Sequence, residues 1–344
     1  FIAACFGLIG GVLAIKLGVF RSFTLGWFLM GTLTFSVLLP EFLPLIGLRM
    51  LYGVGTGLIL TTTGPILIQW FKGRELMIMN ALNTATLSLG IASSVSFTAP
   101  LTEAIGWDLA ISSYGLLGLI GGVPWIILGK PNFYRESLSS SPPLRIIKDT
   151  LTNRSIILLL AADAGVLFQY TAFSAWLPTF FTETRGMNTA QSGFVTGLLP
   201  LVGVFSVLLG GLLPLKMGRP RLYLILPGIM ILLGGPSCYF SENPIFIYSA
   251  LIFVGIGSWL YVPTLLSQTM ELANMAPEKV SVIWGSLITF SGLSMFISPV
   301  LVGVIRDMSG SFIFGFIICS IASSTLLLSG IFLPKESDLE RKSL

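Results

Sequence analysis

The chain has no histidine, only three cysteines and few charges, with Asp, Glu, Lys and Arg together making up 10% of 344 residues. Without histidine there are no histidine metal ligands, no imidazole proton relay and no triad that uses imidazole as its base. Cys5, Cys238 and Cys319 lie far apart in apolar stretches, so neither a disulfide frame nor a metal site is expected. A phosphate-binding loop is also missing: "GGVPWIILGKP" (121–131) ends in proline inside an apolar run. The chain therefore cannot drive work with ATP by itself, and no cofactor is expected. A soluble domain carries about a quarter charged residues, so the scarcity of charge points to a different solvent.

What fills the sequence is apolar. It is 54% hydrophobic with mean hydropathy +0.91. About 20 apolar residues span a bilayer as a helix. Such stretches run near 22–40, 44–69, 76–101, 107–128, 154–181, 191–215, 221–240, 244–270, 279–304 and 311–333, with a shorter one over 1–15. The runs are continuous rather than alternating, which predicts helices and not barrel strands. Glycine (38) and proline (19) recur inside them, as is usual where small residues let membrane helices approach.

The net charge of +4 is a topology signal rather than a nucleic-acid surface. When the turn holding Lys16 and Arg21 is placed in the cytoplasm and the sides alternate from there, sixteen of the nineteen basic residues fall inside. Only Arg49, Arg185 and Arg306 fall at or near the other side, which orients the chain by the positive-inside rule. The expected partners are a small-molecule substrate and the lipid bilayer, with no nucleic acid. The chain is expected to be a monomer in a plasma membrane of prokaryotic type.

Two stretches 200 positions apart share a pattern: "LIGGVLAIKLGVFR" (8–21) and "LLGGLLPLKMGRPR" (208–221). "RMLYGVG" (49–55) aligns with "LIFVGIG" (251–257), Leu251 standing where Arg49 does, and Pro100 matches Pro299. Parallel repeats of this size describe a carrier built from two copies of one helical bundle. The expected fold is an all-α polytopic membrane protein of two pseudo-symmetric six-helix bundles. The N-terminal bundle covers 1–129, a Ser/Pro-rich cytoplasmic linker 130–153, the C-terminal bundle 154–334 and a cytoplasmic tail 335–344. The repeat offset places a partner for the helix at 154–181 before residue 1. The first helix is thus expected to be missing, with about eleven helices present.

These motifs resemble the major facilitator superfamily. Its signature between the second and third helices is met by Gly11, Lys16, Gly18 and Arg21, and again by Gly211, Lys216, Gly218, Arg219 and Arg221. The acidic position of that signature is Ile15 in one copy and Leu215 in the other. Arg49, Gly53 and Gly55 fit the fourth-helix pattern, and "AWLPTFFTETRGMNTAQSGFVTGLLPLVG" (175–203) is similar to the seventh and eighth helices of cyanate- and nitrate-type permeases. The resemblance implies that the first, fourth, seventh and tenth helices line a central cavity, and that the signature residues form a gate.

A charge inside the bilayer costs about 2.5–3.5 kcal/mol on insertion scales, so an intramembrane ionisable group is a functional candidate. Arg49 and Asp163 are the two that stand out. Arg49, Thr56 and Thr63 share one helical face, as do Asp163, Tyr170 and Ser174, while Gly257, Tyr261, Thr264 and Gln268 lean to one side of another helix. Arg49, Thr56, Tyr170, Ser174, Tyr261 and Gln268 are the expected substrate-binding residues, and Asp163 the expected proton-coupling group. The function these imply is secondary active transport of a small solute, an organic or inorganic anion, by alternating access. Drug or metabolite efflux and a non-transporting sensor on a carrier fold are the other readings. A membrane-embedded enzyme is disfavoured by the lack of histidine, metal cluster and nucleophile elbow.

Overall fold

The structure, a computed structural model, describes residues 1–39, 41–129, 143–214 and 221–334. Every regular element among them is helical. Backbone groups in lipid find no water, and a helix satisfies them within its own ladder. The first half holds α1 (Ile2–Leu17), α2 (Val19–Gly31), a 3-10 segment (Thr32–Val37), α3 (Phe42–Trp70), α4 (Gly73–Ile105) and α5 (Trp107–Leu128). α6 (Pro143–Thr152) follows, then α7 (Arg154–Arg185), α8 (Thr189–Leu212), α9 (Leu222–Phe240), α10 (Pro244–Leu260), α11 (Val262–Leu272), α12 (Pro277–Ser309) and α13 (Ile313–Phe332). Eight spans among the described residues are long and apolar enough to cross a membrane.

The repeat read from the sequence reappears as geometry. The span 42–70 and the span 244–272 are both 29 residues long, 202 positions apart. α4 and α12 are both 33 residues long, 204 positions apart. α3 packs on α1 and α2, as α10 packs on α8 and α9, and α5 lies on α2 as α13 lies on α9.

Three local departures from the expected spans have identifiable causes. The stretch 22–40 does not continue as one α-helix but tightens into the 3-10 segment after Gly31. There the Thr32 hydroxyl donates to Leu29 O at 2.6 Å and Ser112 donates to Thr34 O, so side chains take over backbone acceptors. The span 244–272 is interrupted at Tyr261, because Pro263 supplies no N–H to close the turn. The third departure is in the linker, whose described part is the helix α6. Its residues Ile146 and Thr150, one turn apart, are buried, while Arg145, Lys148 and Asp149 are exposed.

The chain forms two compact units. One comprises Phe1–Lys72, Gly90–Thr152 and Thr269–Leu293. Within it α1 and α12 approach closely. A methyl group added at Gly7 would lie 2.7 Å from Gly285 O, and one at Gly11 would lie 2.7 Å from Ser281 O. The Thr289 hydroxyl accepts from Leu8 N–H at 2.9 Å and donates to Ala4 O at 2.8 Å, entering the ladder of α1. At the same joint Ile15, Ile146 and Val282 bury one another, with Leu8 and Ile147 beside them. Gly18, at φ 86°, makes the one-residue turn from α1 to α2 in a conformation that favours glycine.

The other unit comprises Gly73–Leu89, Asn153–Gln268 and Ser294–Leu344. In it Gly211 of α8 meets Ala81 of α4, and Ala85 and Val207 share one apolar core. Residues 11 and 281, and residues 211 and 81, are thus the same contact 200 positions apart. Phe173, Phe180, Phe312, Phe316 and Tyr239 pack the centre of this unit through ring contacts of 5.2–6.3 Å. Arg185 donates to Tyr239 O and Ser241 O, and Arg306 pairs with Glu183 at 2.9 Å.

Candidate functional site

The site in the second unit is built on α7. Asn153 caps the helix by accepting from the N–H groups of Ser155 and Ile156, which fixes where α7 starts. Asp163 then stands nine residues along, about 13 Å from that end at 1.5 Å per residue. Two residues further on, Gly165 has no room for a side chain against Ala322 and Thr325, so α13 lies directly on α7. Asp163 is half-buried and accepts a hydrogen bond from the Tyr261 hydroxyl at 2.8 Å. Tyr261 is 0% exposed.

The other residues expected on these faces divide into two groups. Tyr170 is buried edge-on against Trp259, ring centroids 5.6 Å apart, about two helical turns beyond Asp163. Ser174 is exposed. On α11, Thr264 is 1% exposed and its hydroxyl has no partner, and the side-chain oxygen of Gln268 has none either. Gly257 turns away from this face and lies against Pro227 and Ile231 of α9. Sequence reasoning missed Asn80 of α4, which is fully buried and donates to Ser267 Oγ at 3.2 Å. Its signal was legible: an amide in the apolar run "LMIMNAL" needs a partner in a membrane.

In the first unit Arg49 is exposed on α3, five residues beyond Pro44. The hydroxyls of Thr56 and Thr63, on its face, donate to Tyr52 O at 2.9 Å and Ile59 O at 2.8 Å. Both threonines therefore close on their own helix. Of the gate signature, Gly11 is buried and Lys16 and Arg21 are exposed in the first copy, while Gly211 is buried and Arg221 partly buried in the second. Lys216, Gly218 and Arg219 lie outside the described residues. No group of three or more metal-ligating side chains occurs among the described residues.

The sequence pattern of the Major Facilitator Superfamily matches residues 1–299. The chain belongs to this family. Among its relatives within the superfamily is the probable galactarate/D-glucarate transporter GudP of Bacillus subtilis (strain 168), 23% identical over 338 residues, covering 88% of this chain and 72% of that one. The probable nitrate transporter NarT of Staphylococcus epidermidis is 25% identical over 254 residues, covering 72% and 62%. The solved Escherichia coli fucose:proton symporter FucP has the same fold, with a TM-score of 0.74 at 15% identity over 96% of this chain and 87% of that one. The relatives are transporters, and this member of the superfamily is a membrane protein rather than an enzyme. In this superfamily member the acidic signature position is the buried Ile15, whose neighbours Ile146 and Val282 are apolar as well.

Proposed function

We propose that the chain is a proton-coupled secondary carrier for a small organic anion of the sugar-acid type, working by alternating access. The observation that carries this reading is Asp163, an ionisable carboxylate nine residues inside a membrane span and held by the buried Tyr261 hydroxyl. A carboxylate costs too much in lipid to be kept without a role. Water access from alternate sides lets the same oxygen load and release a proton. Thr264 and Gln268 offer unpartnered oxygens that suit the hydroxyls of a polyol chain. Arg49 offers the fork of donors that suits a carboxylate end. The names of the relatives, galactarate/D-glucarate and nitrate transporters, favour an anion over a drug.

The test is uptake of labelled D-glucarate and of nitrate into proteoliposomes, with and without an inward proton gradient. Asp163→Asn keeps shape and hydrogen bonding but cannot titrate. It should retain exchange of the transported anion and lose the gradient-driven component at least tenfold. Gradient-driven uptake at the wild-type rate in that variant would remove Asp163 from coupling, and nitrate uptake without glucarate uptake would replace the sugar-acid assignment.

A further inference from the structure

We propose that Tyr261 is a positioning residue that ties the charge on Asp163 to the packing of the half-helix α11. The inference rests on the reading that Asp163 gains and loses a proton, and it adds the element that responds. Tyr261 sits in the gap between α10 and α11, at the only break in a 29-residue span. Its hydroxyl donates across that gap to Asp163 on α7 at 2.8 Å. Midway along α11, Ser267 accepts a hydrogen bond from Asn80 of α4 at 3.2 Å. α11 thus has one hold that depends on a titrating group and another, at Ser267, that does not.

Comparison of the two repeats shows that the break is not a general property of the span. Positions 202 earlier hold Ile59 and Thr61 in place of Tyr261 and Pro263, and α3 runs through them as one helix. Thr61 there donates to Gly57 O at 2.9 Å, within the helix. Tyrosine, proline and interruption occur together only in the copy that faces the carboxylate. The electrostatic surroundings make Asp163 the group that decides. Of the helices that touch α7, α8, α9, α10 and α13 carry no Asp, Glu, Lys or Arg, and α12 meets the far end of α7, where Arg306 pairs with Glu183 and Asp307 lies beside it, 20 residues beyond Asp163. The titratable side chains of the four uncharged helices are Tyr223, Cys238 and Tyr239 on α9, Tyr248, exposed on the second turn of α10, and Cys319, in the aromatic core beside Tyr239. α7 itself carries Arg154, Glu183 and Arg185 at its two ends, and Tyr170 against Trp259. α11 adds Glu271 at its far end.

A hydrogen bond donated to an ionised carboxylate is about twice as strong as one between neutral groups. Proton arrival at Asp163 turns the first kind into the second. One tether of α11 weakens while the other stays, so α11 pivots about Asn80. This gives Pro263 a use: a span already lacking one backbone bond moves its lower half without breaking the upper.

Hydrogen–deuterium exchange of the full-length protein in nanodiscs, without substrate, reads this directly. Rates are corrected for intrinsic chemistry, at a pH above and a pH below the transition. In the wild type the 262–272 amides should exchange about tenfold faster at the lower pH, the factor that loss of a charge-assisted bond implies. Tyr261→Phe should show the fast rate at both pH values, Asp163→Asn should show no pH dependence, and the α9 amides should be unchanged throughout. Wild-type protection of α11 in Tyr261→Phe, or pH dependence that survives in Asp163→Asn, would overturn the tether. Faster exchange of α9 together with α11 in Tyr261→Phe would assign the tyrosine to general packing and overturn it as well. Uptake measurements report on coupling separately, so loss of coupling with an intact tether, or the reverse, is seen as such.

Discussion

Arg49 and Asp163 were both legible as single residues, because a charge in an apolar run stands out whatever the fold. What each one touches was not. Asp163 is bonded to Tyr261, 98 positions later, a pairing that only the packing of α7 against the α10–α11 break creates. Thr56 and Thr63 share the face of Arg49 as the helical period predicts, yet their hydroxyls bond their own backbone, an outcome that periodicity cannot distinguish from an open ligand site. Arg49 keeps its exposed guanidinium, and its role is separable by charge and shape. Arg49→Lys retains the charge but loses the bidentate fork, so the affinity for a carboxylate substrate should fall about tenfold with the melting temperature unchanged. Thermal unfolding and uptake kinetics on the same preparation check this. A fall in melting temperature in Arg49→Lys and Arg49→Gln alike would make it a helix pin instead.

At the scale of elements, helix type and approximate position followed from apolar run length, and the edges and interruptions did not. The 3-10 segment after Gly31 depends on threonine and serine side chains whose partners lie as far away as α5. α6 was hidden because its surroundings, 130–142, are rich in serine, proline and charge, and those residues lie outside the described ones. Its identity as a packed element comes from Ile146, 5% exposed against Ile15 and Val282. Removing that side chain with Ile146→Ala should cost about 2 kcal/mol of docking. Trypsin should then cut after Arg145 and Lys148 at least tenfold faster under native conditions, because cleavage follows the population of the undocked helix. Unchanged cleavage would mean that α6 is held by something other than this contact.

The repeat, at the scale of the whole chain, was the most legible feature, since an offset of 200 in a few glycines predicted matched spans and matched contacts. The composition of the compact units was less legible: each includes a segment from the other half of the sequence, because small residues at Gly11, Gly211, Ala81 and Gly285 permit backbone contact that a hydropathy profile does not register. The charge asymmetry predicts an orientation. Single cysteines at Ser139, outside the described residues, and at Gly186, in a background lacking Cys5, Cys238 and Cys319, should label from opposite faces, Ser139 from the cytoplasm. Labelling of both from one face would overturn the assigned orientation. The Ile15–Ile146–Val282 contact has a further consequence. A charged latch at this place would loosen as dissolved ions crowd around it, whereas an apolar one is indifferent to ionic strength and weakens when chilled. The contact should therefore hold nearly equally well in dilute and in briny media, and should loosen in the cold.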